Sequence, residues 1–84
     1  MDTAPQHHTV HVMAFGQVAE QLGGRHHEQT VEEGTTVRNL VLALGLEQWI
    51  QFGLSVAVNG SRCDLDTLLS DGAELALLPP VSGG

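Results

Sequence analysis

The alternation of apolar and polar positions predicts a β-strand near each end of the chain. Residues 9–15, TVHVMAF, alternate and are rich in β-branched side chains, and residues 73–78, AELALL, repeat the pattern. Alternate positions of the first strand share its inward face: Val10, Val12 and Ala14. The last strand runs into two prolines, which lack a backbone N–H, so strand pairing should stop there and the chain should leave the sheet.

Three further stretches predict the rest of the sheet. A weaker alternation over residues 26–33, HHEQTVEE, predicts a strand that forms a hairpin with the first one. Residues 54–60, LSVAVNG, predict a strand that ends in Asn59-Gly60, a dipeptide typical of tight hairpin turns because both residues tolerate positive φ. Residues 61–65, SRCDL, return from this turn, and another turn is expected at residues 70–72, SDG.

Helical periodicity is clearest in residues 34–45, GTTVRNLVLALG. Apolar side chains fall there at the positions of one helix face: Val37, Leu40, Val41 and Leu44. Thr35 or Thr36 can cap the start of this helix, and a glycine follows its last apolar position. Residues 16–24 allow two helical turns that end in Gly-Gly, and residues 46–53, LEQWIQFG, are expected as a short connection that folds over the edge of the core.

The order β, β, α, β, β, β predicts an α+β fold in which one main helix packs across a mixed sheet of about five strands. This is the arrangement of a β-grasp, the ubiquitin-like roll. With 84 residues there is room for one domain and one core. We therefore expect a single domain over residues 1–84, with residues 1–8 as a flexible N-terminus and residues 79–84 as an extended tail.

Composition and charge exclude several classes of function. Three arginines, no lysine and ten acidic residues give a formal charge of −7, which disfavours nucleic acids and anionic membranes and suits a positively charged protein partner. No phosphate-binding loop or nucleophile elbow is present, so the chain lacks the parts of a self-contained enzyme. Residues 1–9 do not resemble a signal peptide and no stretch is long enough to span a membrane, so we expect a cytoplasmic protein.

Histidines and a single cysteine are the remaining candidates for chemistry. The chain contains five histidines: His7, His8, His11, His26 and His27. They could approach one another if the first two strands pair, but no cysteine or carboxylate completes a recognisable metal-binding spacing, so no metal site is predicted. Cys63 lies between the charged residues Arg62 and Asp64, and the alternation points its side chain into the core as a small hydrophobe rather than a nucleophile.

A surface beside the tail is the stronger candidate for function. Met13 and Phe15 face outward from the first predicted strand, and Leu78 faces outward from the last. Exposed apolar side chains of this size usually mark an interface, although a homodimer or the segment around Trp49 could also cover them. The tail, PPVSGG, begins beside these residues, and its two glycines have no Cβ, so they could enter a narrow slot.

The stretch VNG…LLSDGAELALLPPVSGG, taken with VMAFGQVAE near the start, resembles the small subunit of molybdopterin synthase, in the MoaD branch of the MoaD/ThiS ubiquitin-like sulfur carriers. The resemblance covers residues 10–84, and its specific part is the ending of two prolines, a valine, a small residue and Gly-Gly. Thiamine-pathway carriers also end in Gly-Gly but usually lack the double proline. The tail therefore favours the molybdopterin branch.

The resemblance implies a reaction at Gly84. An E1-like, MoeB-like enzyme would adenylate this glycine with ATP, and a sulfur donor such as a cysteine desulfurase or a rhodanese would convert it to a thiocarboxylate. The large, MoaE-like synthase subunit would bind the outward side chains of Met13, Phe15 and Leu78 and receive the tail for dithiolene formation in molybdopterin. The other tail residues implied in this insertion are Pro79, Pro80, Val81, Ser82 and Gly83. The chain would be a non-catalytic carrier subunit with no bound cofactor.

Three alternatives remain compatible with the same ending. The chain could be a ubiquitin-like modifier joined through Gly84 to target lysines, or a sulfur carrier for another pathway such as thiamine, tRNA thiolation or cysteine synthesis. It could also be a ubiquitin-like binding module that is never conjugated. Without a lysine, it could not be the branching unit of a lysine-linked polymer.

Overall fold

The sheet of this protein has five strands in the order β2-β1-β5-β3-β4. The computed structural model describes residues 7–80. Its helices and strands are β1 (His7–Ala14), α1 (Gly16–Leu22), β2 (His26–Glu32), α2 (Val37–Ala43), α3 (Glu47–Phe52), β3 (Ser55–Val58), β4 (Ser61–Cys63) and β5 (Glu74–Leu78). Strands β1 and β5 pair in parallel at the centre, and the other neighbours pair antiparallel. The predicted mixed sheet and β-grasp fold are confirmed.

The hairpin of β1 and β2 is longer than the alternation predicted. It begins at His7, which pairs with Glu32, and continues through His8 opposite Val31. The ring nitrogen Nδ1 of His8 also lies 3.1 Å from the carbonyl oxygen of Leu69. These contacts place the two histidines in the sheet and not in the flexible N-terminus that was expected, because polar side chains on an edge hairpin do not prevent backbone pairing.

One continuous core lies between the inner face of the sheet and the helices. The side chains buried in it come from strands β1, β3 and β5, helices α1 and α2, the residue just before α3 and the loop before β5: Val10, Val12, Ala14, Val18, Val37, Leu40, Val41, Leu46, Val56, Leu69, Ala73, Leu75 and Leu77. Every apolar position predicted inward on β1 belongs to this set. The alternation therefore identified the buried face of the central strands correctly.

The start of α2 is fixed by a reciprocal cap. The backbone N–H of Asn39 donates to the Thr36 hydroxyl oxygen at 3.1 Å, and the backbone N–H of Thr36 donates to the Asn39 side-chain oxygen at 3.3 Å. This arrangement satisfies two donors that the first turn of a helix leaves without intrahelical partners. Of the two threonines that the sequence allowed as the N-cap of α2, Thr36 is the one that caps it.

Residues 46–53 form a helix where the sequence was read as a short connection. Helix α3 runs over Glu47–Phe52 and ends at Gly53, whose φ of 100° is in the left-handed region. Trp49 and Ile50 pack against the core as expected for a segment that covers its edge. Phe52, by contrast, is 61% exposed, because it lies on the side of this short helix that faces away from the core. Within residues 7–80, no helix has the length and apolarity needed to cross a bilayer.

Two leucines of α2 give a matched test of the core. Leu40 is 3% exposed and Leu42 is 43% exposed, on the same helix two residues apart. Leu40→Ala should lower the free energy of unfolding by about 2–5 kcal/mol through lost burial and a residual cavity, whereas Leu42→Ala should change it by less than about 1 kcal/mol. Chemical denaturation followed by circular dichroism measures both, and equal losses would contradict the described packing of α2.

Candidate functional site

The outer face of the sheet carries an apolar surface at the end of β1 and β5. We call it the outer patch, and it comprises Met13, Phe15, Ala76 and Leu78. Met13 lies opposite Ala76 in the parallel ladder, and each of the four side chains is partly exposed. None of the four belongs to the core or to the side chains packed against it. The outward orientation predicted for Met13, Phe15 and Leu78 is thus confirmed.

Phe15 is held at the junction between β1 and α1. Its backbone N–H donates to the carbonyl oxygen of Leu77 at 3.2 Å, which extends the pairing of β1 with β5 by one residue. Its own carbonyl oxygen accepts from the N–H of Ala19 in α1 at 3.3 Å. The guanidinium carbon of Arg25 lies 6.0 Å from the centre of the Phe15 ring, at the limit of a cation–π contact. These bonds fix the backbone on both sides of the ring.

Strand β3 extends the outer face beyond β5. Ala57 lies opposite Ala76, and Ser55 lies opposite Leu78. Arg62 of β4 is opposite Ala57 and donates from Nη2 to the Ser55 hydroxyl at 2.9 Å, so its side chain lies along this face. A guanidinium group therefore borders the apolar surface on the β4 side.

The first two tail residues, Pro79 and Pro80, lie beside Gly16 and Gly53, and we call this arrangement the proline seat. Gly16 has a φ of 57°, and a Cβ there would lie 3.1 Å from Cγ of Pro79. Gly53, with a φ of 100°, would place a Cβ 3.9 Å from Cβ of Pro80. Both glycines occupy the left-handed region that side chains disfavour, and both lie where a proline ring approaches. The first residue of α1 therefore leaves room for the Pro79 ring, and a side chain at the turn after α3 would be in ordinary contact with Pro80.

The structure reaches only part of the predicted tail. Pro79 is partly exposed and Pro80 is exposed, directly after the last residue of β5. The remaining predicted site residues, Val81, Ser82, Gly83 and Gly84, lie outside the described residues. Strand pairing stops at Leu78, as the missing N–H groups of two consecutive prolines require.

Sequence reasoning missed a second apolar surface on the helix side of the tail. A groove of about 390 Å³, which we call the root groove, is lined by Gly16, Gln17, Trp49, Phe52, Pro79 and Pro80. The rings of Trp49 and Phe52 meet edge to face with their centres 5.8 Å apart, and the Trp49 indole N–H donates to the Gln21 side-chain oxygen at 2.9 Å. The i, i+3 spacing of the two aromatic residues before Gly53 was the available signal, because it is typical of a short helix ended by glycine.

Charged residues occupy the other end of the outer face. Nδ1 of His11 lies 3.5 Å from Oε2 of Glu28, and His11 is also opposite Glu74 in the parallel ladder. His27 lies on the inner side, with Nε2 2.9 Å from the carbonyl oxygen of Gly24. Across residues 7–80, no three histidine, cysteine or acidic side chains are grouped so that they could hold a metal ion. The outer face is therefore apolar near the tail and polar away from it.

Cys63 packs at the edge of the core as a free thiol. It lies opposite Val56 in the β3–β4 ladder and contacts the core cluster from a partly exposed position. Its neighbour Leu65 is in the same partly buried group. The predicted inward orientation of the Cys63 side chain is confirmed.

Comparison with protein families gives a match to the ThiS family over residues 12–84. The chain belongs to this family. The match begins within β1 and continues through the other strands and the tail, so the resemblance to the MoaD/ThiS ubiquitin-like carriers is confirmed. A search of curated proteins gives no significant relative.

Solved structures of similar fold come from this group of small proteins. A Pyrococcus furiosus protein, provisionally assigned as molybdopterin converting factor subunit 1, is 26% identical, with a TM-score of 0.75 and 88% of this chain and 99% of that one covered. Small archaeal modifier protein 1 of Haloferax volcanii is 29% identical, with a TM-score of 0.74 and the same coverage. A Helicobacter pylori complex of subunits 1 and 2 of molybdopterin-converting factor gives 31% identity, a TM-score of 0.58 and coverage of 90% and 99%.

Adjacent leucines of β5 provide a test of the outer patch in this ThiS-family protein. Leu77 is fully buried, whereas Leu78 is partly exposed on the outer face. Leu77→Glu should prevent folding, because an unpaired charge would enter the core, while Leu78→Glu should keep a cooperative thermal transition. If Leu78→Glu also loses the transition, the patch must be covered in the free protein, as a homodimer would cover it.

Proposed function

We propose that this protein is a cytoplasmic sulfur carrier, in which Gly84 is converted to a thiocarboxylate that supplies sulfur for the dithiolene of molybdopterin. The observation that carries the proposal is the family match, which continues through residue 84. The ending PPVSGG and the similarity to subunit 1 of two molybdopterin-converting factors support the molybdopterin pathway. The proline seat supports a tail that leaves the sheet in a fixed direction.

The chemistry requires activation by a partner. A carboxylate is ionised at neutral pH and is a poor electrophile. An E1-like enzyme would join the Gly84 carboxylate to AMP from ATP, with release of pyrophosphate. The persulfide sulfur of a donor protein, such as a cysteine desulfurase or a rhodanese, would then attack the carbonyl carbon and displace AMP. A thiol would reduce the resulting acyl disulfide, which releases the thiocarboxylate and leaves the donor cysteine in a disulfide with that thiol. The carrier supplies no catalytic group in these steps, which is consistent with its family.

The outer patch would bind the large synthase subunit. Its side chains are apolar, partly exposed and next to the root of the tail, so burying them would position the tail as well as supply binding energy. The Helicobacter pylori structure contains subunit 1 together with subunit 2 of its converting factor. We propose a MoaE-like subunit of the same kind as the partner of this chain.

Reconstitution is the direct test of this pathway. Thiocarboxylated protein, the large subunit and cyclic pyranopterin monophosphate should together yield molybdopterin, and Leu78→Glu, folded but altered in the outer patch, should yield much less. Absence of product with a large subunit that is active with its own known carrier would exclude the molybdopterin pathway. It would leave sulfur carriage for thiamine, tRNA thiolation or cysteine synthesis.

A ubiquitin-like modifier is the second candidate. The similarity to small archaeal modifier protein 1 of Haloferax volcanii favours it, at nearly the same TM-score as the carrier-type neighbour. In that function Gly84 would form an isopeptide bond with lysines of other proteins. Intact mass of the protein from cells separates the two functions, because a thiocarboxylate replaces one oxygen with sulfur whereas a modifier is recovered on other chains.

The position of the reactive carbon should be critical. Deleting Gly84, or adding one alanine after it, moves the terminal carbon by about 3.3 Å, which exceeds the tolerance of about 0.5 Å for a productive site. Both variants should lose thiocarboxylate formation in the presence of the E1-like enzyme and a sulfur donor. Thermal unfolding should stay unchanged, because the core lies within residues 10–77. Normal thiocarboxylate yield from either variant would refute the carrier function.

Cys63 should be dispensable for sulfur transfer. It is a partly exposed packing residue, and the proposed sulfur site is the Gly84 carbonyl carbon. Cys63→Ala should leave thiocarboxylate yield and pterin conversion within about twofold of wild type, with a stability loss of about 1 kcal/mol for the smaller side chain. A folded Cys63→Ala protein that no longer transfers sulfur would show that this thiol carries it.

A further inference from the structure

We propose that the root groove is a second docking site, which receives an uncharged apolar side chain from the ATP-dependent enzyme that activates Gly84. This inference rests on the proposed reaction at Gly84. It concerns a surface distinct from the outer patch, since the root groove is built from α1, α3 and the two prolines, whereas the patch lies on the sheet. The root groove would hold the tail from the helix side while the patch holds it from the sheet side.

The length of the tail sets where the activating enzyme must contact this protein. Four residues follow Pro80 to Gly84. Fully extended, they reach about 14 Å at most. The site at which ATP meets the Gly84 carboxylate therefore lies within that distance of Pro80, which itself lines the root groove. Protein surface around the entrance to that site therefore comes close to the root of the tail, where the root groove is the apolar surface on the helix side.

The chemistry of the root groove specifies what kind of side chain it accepts. Its walls are two aromatic rings, two proline rings, a glycine and the neutral Gln17, so no charged residue is part of the lining that the structure describes. Phe52 is one of the most exposed large apolar side chains in residues 7–80, at 61%. An apolar side chain from a partner would cover this ring and the prolines without leaving a polar or charged group unpaired.

The root groove is also preformed. The Trp49 indole is fixed by its hydrogen bond to Gln21 and by the edge-to-face contact with Phe52. Pro79 and Pro80 have fixed φ angles, and Pro79 packs closely against Gly16, where an added Cβ would lie 3.1 Å from its Cγ. Walls that are ordered before binding lose little conformational entropy on binding, so even one inserted side chain can contribute usefully to affinity.

Pyrophosphate exchange by the E1-like enzyme, measured against carrier concentration, tests the proposal. Phe52→Glu should raise the KM for the carrier about tenfold or more, because it places a charge in a buried contact, and should leave kcat nearly unchanged, as expected when docking and not chemistry is altered. Phe52→Leu should stay close to wild type, because it keeps an apolar wall. Leu42→Glu is the control, since it adds the same charge at an exposed leucine of α2 outside the groove.

The outcomes separate this inference from the proposed function. If wild type supports exchange and Phe52→Glu has the wild-type KM, or if Leu42→Glu raises KM equally, the docking site is refuted and the carrier function stands. If wild type supports no exchange with an enzyme that adenylates its own known carrier, the proposed function fails and this inference fails with it. Thermal unfolding of all three variants should match wild type.

A measurement without mutation gives an independent check. Trp49 is the single tryptophan of the chain, so fluorotryptophan incorporation yields one fluorine resonance from the wall of the root groove. Adding the unlabelled activating enzyme should shift this resonance and reduce its exposure to a soluble paramagnetic probe. An unchanged shift and unchanged exposure at saturating enzyme would refute contact at the groove.

Discussion

The parallel pairing of β1 with β5 is the constraint on which the rest of this structure depends. In a parallel pair the carboxyl ends of both strands lie at the same edge of the sheet. Here the register Ala14 opposite Leu77 brings Phe15 and Gly16 beside Leu78 and Pro79. Two segments that are more than sixty positions apart in the chain thereby form one surface. Without this pairing, neither the outer patch nor the proline seat would exist.

Strand β5 keeps this register because its two faces differ strongly in burial and polarity. Leu75 and Leu77 are completely buried, whereas Glu74 faces solvent on the opposite side. A slip of one residue would expose both leucines and bury the Glu74 carboxylate. The lost apolar burial and the buried charge together would lower the free energy of unfolding by several kcal/mol. The same alternation leaves Leu78 on the outer side at the last paired position. The core thus determines which apolar side chains remain available for a partner.

Much of the fold could be predicted because local signals agreed with the tertiary structure. The alternation in β1 and β5 and the apolar stripe of α2 each specified an element and its buried face. Asn59-Gly60 specified a hairpin turn, in which Asn59 does adopt a φ of 52°. Helix α3 was missed because its six residues carry little periodicity beyond the i, i+3 spacing of Trp49 and Phe52. The root groove could not be predicted, since it requires α3, the start of α1 and the prolines to meet through long-range packing.

The tail begins with two prolines and ends with two glycines, and these residue types have opposite effects on the conformational freedom of the backbone. Glycines at the end leave no Cβ to obstruct a narrow channel, but they also give the chain more conformations to lose on binding. Proline fixes φ, and Pro79 also packs closely against Gly16. A partner that binds Pro79 and Pro80 therefore meets backbone whose φ angles are already fixed, and less conformational entropy is lost there than at a glycine. The fixed φ angles of the two prolines therefore offset part of the entropy cost that the glycines at the end of the sequence would add to the binding of the proposed partners.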